Sequence, residues 1–475
     1  MSTEHTLILH GYSDCSKSFV DLKERLQEQG IGTVETILYG DYESREDNIT
    51  FNDVIDGLND RMIEKEIIHA DGARRKDLNV VVHSTGGLVI RHWIWKYYHD
   101  RIEDCPVRRL VMLAPANFGS PLAHRGKSFL GRLVKGRWKI GDFLEVGRNL
   151  LNGLELASPY QWELAHRDLF AGDVSYYNRN QIQLTILVGI KDYSGLRGWV
   201  NKPGTDGTVV ISGTSLDSIK LELDFSNPSI PWKWKETETA HDFAFGVLEG
   251  LDHGSIVEQF SEPQSQISQL TAEALKIEDT DQFTGFQQKL EEITEKTYTP
   301  DSNGKPKPCS RYQQFIIRGI DDHNSPVSDY TIEFYVYKAE KVENDLIDNS
   351  KYFNKTEEKW SEEFQKVLVG QIHTHSKDSS YRRLLVNLDD LNQRIEKAKE
   401  ELGDFVLSMR IFVPRIDKGI YYDLDSLNNI VVYHSNPDVE LDHEPSLFFD
   451  NTTTLIELKV NRSTSYVTLS LSPKK

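Results

Sequence analysis

The sequence predicts an α/β protein, in which helices cover both faces of a mostly parallel, doubly wound sheet and a second, mainly β region follows. Three observations predict it. Across roughly the first 260 residues, short runs that are apolar on both faces alternate with segments of helical spacing, as in a parallel sheet covered on both sides. The stretch "TPDSNGKPKP", Thr299 to Pro308, has the composition of a linker. Beyond it the chain turns to strand-like runs with turn signals between them.

The first strand is Thr6 to Leu9, running into His10-Gly11. Helical spacing then extends from about Ser16 to Gln29, where Gly30 supplies the stop. Thr33 to Leu38 reads as a strand and Phe51 to His69 as a helix. Leu78 to Val82 is a strand, Gly86 to His99 a helix, and Arg109 to Leu113 and Gln183 to Ile190 are two more strands. A long insert interrupts the alternation between Phe118 and Tyr177, and the last strand of this region falls at Phe243 to Leu248. A charged helix is expected over Gln282 to Tyr298. After the linker, "YQQFIIRG", "DYTIEFYVYK", "FVLSMRIFVP" and "TTTLIELKV" read as strands, with one helix at Leu388 to Leu402, giving a sandwich-like arrangement. The expected layout is a catalytic region over 1–275 with an insert at about 120–180, a helix and linker over 276–308, and a β-rich region over 309–475.

Composition narrows the function. The net charge of −19 excludes a general nucleic-acid surface, and contact with anionic lipid must then come from a local basic patch. Three scattered cysteines, Cys15, Cys105 and Cys309, make no disulfide framework and no metal spacing, which favours a reducing compartment. The N-terminus lacks the basic region of a signal peptide, and no window approaches the roughly 18 apolar residues of a membrane span. A cytoplasmic protein is expected, peripheral at a membrane if its substrate lies there.

Chemistry centres on "NVVVHSTGGLVIRHW", Asn79 to Trp93, where a strand runs through a tight turn with Ser84 near its tip into a helix. A serine hydroxyl is a weak nucleophile and needs a base, an orienting carboxylate and oxyanion donors. Suitable partners follow. "LILHGYSD" ends the first strand near Tyr12, whose N–H is a candidate oxyanion donor, and the Thr85 N–H directly after the serine is the other. "KPGTDGTVVISG" carries Asp206 and "GLDHGSIV" carries His253, so nucleophile, acid and histidine occur in that order.

The motifs "LHGYSD", "HSTGG", "LAPANFGSPLA", "DGTV" and "DHGSIV" resemble those of α/β-hydrolase lipases and phospholipase-like esterases, over roughly residues 5 to 260. That resemblance implies the α/β-hydrolase fold, Ser84 as nucleophile, Asp206 as acid, His253 as base, and Tyr12 and Thr85 as the oxyanion hole. The β-rich remainder lies outside it and is a candidate surface for a protein partner or for self-association.

Each residue has a plainer rival. Ser84 could be an ordinary helix N-cap. Asp206 could be only a turn residue of an Asp-Gly pair, and Asp192 lies closer to its strand. His241 competes with His253, although it precedes the last strand whereas the family's histidine follows it. His83, beside the nucleophile, is read as a packing residue or as one that supports the reacting groups from behind. Val82 stands where such turns usually carry glycine; it leads us to expect a shifted strand or a shrunken neighbour.

The insert bears on substrate. Between His124 and Glu145, Arg125, Lys127, Arg132, Lys135, Arg137 and Lys139 interleave with Phe129, Leu130, Leu133, Val134, Trp138 and Ile140, and no acid precedes Asp142. Such a block suits a lid or interfacial element dipping into lipid headgroups; the rival is a structural cap with solvated cations. "HTH", His373 to His375, and the acidic loop "SNPDVELDHEP" have no spacing that makes a metal site, so neither a metal nor an organic cofactor is implied. The expected activity is serine-dependent hydrolysis of lipid acyl esters, of phospholipase or lipase type. The alternatives are acyl transfer, thioester or amide cleavage on the same fold, or a non-catalytic binding scaffold.

Overall fold

A computed structural model describes residues 5–10, 17–38, 48–123, 148–172, 176–191, 202–225, 232–236, 242–300, 309–339, 342–343, 346–347, 354–417, 419–424, 427, 430–436 and 447–463. The chain divides into two units: Met1–Ser218 with Glu236–Arg311 and Asn451–Thr453, and Ile219–Lys235 with Tyr312–Asp450 and Thr454–Lys475.

In the first unit the elements follow the expected alternation. They are β1 (His5–His10), α1 (Lys17–Glu28), β2 (Thr33–Leu38), α2 (Phe51–Glu64), β3 (Leu78–His83), α3 (Gly86–Tyr98), β4 (Val107–Leu113), α4 (Pro159–Asp168), β5 (Gln183–Gly189), β6 (Ala244–Leu248) and α5 (Thr280–Tyr298). The strands form one parallel sheet in the order β2-β1-β3-β4-β5-β6. Their apolar character on both faces follows from helices on either side; Val80, Val81 and Val82 are all within 1% of complete burial. His10 pairs with His83, His83 with Leu113, and Leu113 with Leu187, so β1, β3 and β4 finish level at their carboxyl ends and β5 runs two residues further. Loops leaving a parallel sheet at that edge are where an open α/β fold places its chemistry.

The free edge at β6 is closed by α5. The Thr294 hydroxyl accepts from the Val247 N–H at 3.0 Å, and the Thr297 hydroxyl donates to the Val247 carbonyl at 2.9 Å. Two side chains thereby occupy the backbone groups that an exposed edge would offer to another strand. The expected charged helix is thus built into this unit, with Phe283, Phe286 and Leu290 buried on its inner face.

Helix α3 is apolar nearly all round, yet Arg91 sits in its middle with no exposure. Its guanidinium donates to both carboxylate oxygens of Asp168 on α4, at 2.8 and 2.9 Å, and to the Asn117 carbonyl at 3.2 Å. The Tyr177 hydroxyl adds a bond to Asp168 at 3.1 Å. Burial works against the arginine's charge, but Asp168 outweighs it and raises its pKa. This pair fixes the helix that follows β3 to the helix that closes the insert.

The second unit holds a six-stranded sheet in the order Ile372–Thr374, Tyr381–Asn387, Tyr312–Asp321, Thr453–Val460, Ser218–Asp224, Trp232–Glu236. A three-stranded sheet contains Thr331–Lys338, Phe405–Phe412 and Ile430–His434. Helix Leu388–Leu402 is the expected one; a second helix, Lys355–Leu368, was not expected. Phe315, Leu384, Phe334, Phe405, Phe364 and Leu391, from both sheets and both helices, share one hydrophobic cluster. Strands Ser218–Asp224 and Trp232–Glu236, assigned from the sequence to the first region, pair into the six-stranded sheet of the second unit. Among the described residues no helix is long and apolar enough to cross a membrane.

Removing one partner of a buried pair leaves the other charge unpaired, at a cost of about 3–5 kcal/mol. Asp168→Ala is therefore expected to lower stability by that amount, and Arg91→Met/Asp168→Leu by much less, in urea unfolding followed by tryptophan fluorescence. Equal losses in the two variants would count against the ion pair as the source.

Candidate active site

Ser84 directly follows β3 with φ +55°, in the left-handed region that non-glycine residues rarely adopt. Its N–H donates to the Leu113 carbonyl at 3.1 Å, and its carbonyl accepts from Gly87 at 3.2 Å and Ala116 at 2.9 Å. Three backbone bonds thus hold the turn. Gly87 permits it, since a Cβ there would lie 2.7 Å from the Pro115 side chain and 2.8 Å from Asn117 Oδ1. The N-cap of α3 is Thr85, without a side-chain capping bond. Ser84 is therefore not a capping serine. Its hydroxyl instead meets His253 Nε2 at 3.0 Å.

The strand shift expected from Val82 does not occur. Leu9, Val82 and Met112 lie in register across β1, β3 and β4, and the one irregularity in the β3–β4 ladder is at the far end, between Leu78 and Asn79. The β-branched side chain is accommodated in regular, buried strand.

His253 is 4% exposed and lies in the loop between β6 and the short helix Ser255–Glu258. The Asp252 carboxylate accepts from the Gly254 and Ser255 N–H groups at 3.0 and 2.8 Å, which fixes the start of that helix. Gly189 at the end of β5 lets this loop approach; a Cβ there would stand 2.1 Å from the Leu251 carbonyl oxygen. On the ring, Nδ1 lies 2.9 Å from Asp206 Oδ2, and the His253 N–H donates to the Asp206 carbonyl at 3.0 Å.

Asp206 is fully buried. Its Oδ1 accepts the Thr208 and Val209 N–H groups at 3.0 and 2.8 Å, and Gly207 turns the chain at φ +93°. Asp206 is thus a turn residue as well as the partner of His253, because its two oxygens serve the two purposes separately. The 114–123 loop is stitched to the acid loop: Asn117 Nδ2 donates to the Thr214 carbonyl at 2.7 Å, and the Ser120 hydroxyl to the Thr208 carbonyl at 2.6 Å.

The structure therefore brings Ser84, His253 and Asp206 into one hydrogen-bonded line, with Thr85 next to the serine at the start of α3. Tyr12, the insert residues Arg125, Lys127, Phe129, Arg132, Lys135 and Trp138, and the rivals Asp192 and His241 lie outside the described residues. So does most of the acidic loop near residue 440. Of the "HTH" pair, His375 is buried and accepts from the Asp378 N–H at 3.2 Å, while His373 is half-buried on its strand. Among the described residues no group of three or more His, Cys, Asp or Glu is placed to hold a metal ion. The sequence allowed His83 a packing or supporting role but did not give its partner: its Nε2 donates to the His253 carbonyl at 3.0 Å. Nothing local could have revealed it, because the two residues stand 170 apart.

Phospholipase PlaB from Legionella pneumophila superposes on the whole chain with a TM-score of 0.77 at 22% identity, covering 100% of this chain and 98% of that one. The same enzyme in complex with thio-NAD gives a TM-score of 0.74 with the same identity and coverage. The chain has the α/β-hydrolase fold. The likeness spans the second unit as well as the hydrolase sheet. No family model matches the sequence, and no curated protein matches it by sequence comparison.

A left-handed backbone costs a non-glycine residue roughly 1–2 kcal/mol. Ser84→Gly is expected to raise stability by up to about that amount relative to Ser84→Ala, whereas an unstrained turn would give Ser84→Gly the lower stability. Urea midpoints of the two variants decide.

Proposed function

We propose that this chain is a serine-dependent hydrolase of lipid acyl esters, of phospholipase or lipase type. The observation that carries the reading is the continuous line Ser84 Oγ, His253 Nε2, His253 Nδ1, Asp206 Oδ2, with both hydrogen bonds near 3 Å on a strained strand-to-helix turn. With the proton on Nδ1 donated to Asp206, Nε2 is left as the acceptor for the serine hydroxyl. Ser84 Oγ attacks the ester carbonyl as its proton passes to Nε2. The oxyanion is held by the Thr85 N–H and, from the resemblance, the Tyr12 N–H. Collapse breaks the ester bond, and the leaving alcohol takes the proton from His253. Water then attacks the acyl-serine as His253 takes its proton, and when the acyl–Oγ bond breaks His253 passes that proton to Ser84 Oγ, releasing the fatty acid and restoring both residues.

Two things support lipid as the substrate: a solved phospholipase matching the chain end to end, and the basic and apolar insert at 124–145, unusual in a chain of net charge −19. Incubation with mixed phospholipids followed by lipid mass spectrometry tests the reading. Wild type is expected to release free fatty acid and to take a fluorophosphonate adduct on Ser84, and Ser84→Ala to do neither. Well-folded wild type that takes no adduct overturns it.

The insert makes a separate prediction. Replacing Arg125, Lys127, Arg132 and Lys135 with glutamine is expected to lower hydrolysis in anionic vesicles at least tenfold more than hydrolysis of a soluble short-chain ester, since each basic residue near an anionic surface contributes about 1 kcal/mol. Equal losses on both substrates would remove the insert's interfacial role.

A further inference from the structure

We infer that His83 is a positioning residue for the base, holding His253 in line with Ser84 by a hydrogen bond to its main chain. The inference rests on the proposed Ser84–His253–Asp206 triad and assigns work to a residue that the triad does not use.

Four bonds act on His253. Two reach its ring, from Ser84 Oγ at 3.0 Å and Asp206 Oδ2 at 2.9 Å. The other two reach its backbone: the N–H donates to the Asp206 carbonyl at 3.0 Å, and the carbonyl accepts from His83 Nε2 at 3.0 Å. The backbone of the base is thus tied on one side to the acid's own residue and on the other to the residue adjoining the nucleophile. A carbonyl can only accept, so His83 must carry its proton on Nε2.

His83 is itself well placed to act as a fixed point. It is the last residue of β3, paired in register with His10 and Leu113 in the centre of the sheet. Its ring lies against the His253 ring, with centroids 4.7 Å apart and planes at 41°, and Phe19 of α1 packs near it at 5.9 Å. The loop carrying His253 comes from β6 at the sheet's edge, so the bond from His83 reaches from the sheet centre to a loop anchored far from it. Because His83 precedes Ser84 directly, a displacement of the strand end moves nucleophile and base together. That preserves the 3.0 Å contact on which proton transfer depends.

Two substitutions separate the hydrogen bond from the packing. His83→Phe keeps a ring beside His253 and Phe19 but has no donor; His83→Gln has a donor of similar reach and no ring. Both are read by kcat and KM on a soluble short-chain ester, by the rate of fluorophosphonate labelling at Ser84, and by melting temperature. A small misplacement of a catalytic group can cost on the order of 10²-fold, so His83→Phe is expected to lower kcat and the labelling rate about 10- to 100-fold, with KM within about twofold. His83→Gln is expected to restore most of that loss. His83→Phe that folds and labels as fast as wild type overturns the inference, as does His83→Gln that is as slow as His83→Phe. If His83→Phe does not fold, His83→Gln decides alone: labelling near wild type supports the bond, and a tenfold loss overturns it. Wild type without an adduct on Ser84 overturns the triad reading and this inference together, whereas labelled wild type with an unaffected His83→Phe overturns the inference alone.

Discussion

The left-handed backbone of Ser84 is the constraint on which the rest of the site depends. A residue at φ +55° throws its side chain up from the strand end before the chain can start a helix. The conformation is unfavourable for serine, so its surroundings must hold it. The Leu113, Gly87 and Ala116 main-chain groups do so. The neighbouring strand repeats the device, for Ala114 just past β4 also has positive φ, at +44°, and donates to the Leu187 carbonyl at 2.7 Å. Two adjacent strands therefore end in left-handed residues, each braced by the next strand across.

Around that turn the loops are joined by bonds that leave little independent movement. The 114–123 loop ties to the Asp206 loop through Asn117 and Ser120, and that loop ties to His253 through both the backbone and the carboxylate of Asp206. Beneath them, the Arg91–Asp168 pair locks α3 to α4 and touches the Asn117 carbonyl. Ser84, His253 and Asp206 thus rest on a network that links α3, α4 and the loop carrying Asp206. In the proposed hydrolysis, preorganisation of this sort would let hydrogen-bond donors act without rearranging.

Much of this was legible in the sequence. Strands with apolar residues on both faces announced β1 to β6, and Ser84, Asp206 and His253 were readable because the turn chemistry around each is local: "HSTGG", "DGTV" and "DHGSIV". What was not legible depends on pairing across distance. Arg91 reads as an interruption of an apolar helix until Asp168 appears beside it, 77 residues later. His83 reads as packing or support without a partner until its bond to His253 is seen. Val82 looked like an obstacle because glycine is usual at that position, but the ladder through Leu9 and Met112 stays regular. The segment 219–235 sits between two motifs of the hydrolase fold, and only strand pairing assigns it to the other sheet.

Pairing over so long a stretch of chain takes time while the protein is being made. Strand Ser218–Asp224 takes its place beside Thr453–Val460, and the Lys459–Asp224 bond at its end spans 235 residues of chain. At about 5–20 residues per second, a ribosome needs on the order of 10 to 50 s to make that distance. Through that interval the earlier strand has Trp232–Glu236 to pair with on one side but must wait for Thr453–Val460 on the other. Its sequence suits the wait: Lys220, Glu222 and Asp224 alternate with Leu221 and Leu223, setting charge at every second position. The same alternation that lets the finished strand bury one face guards the unfinished one against pairing with the wrong edge while the polypeptide is still emerging.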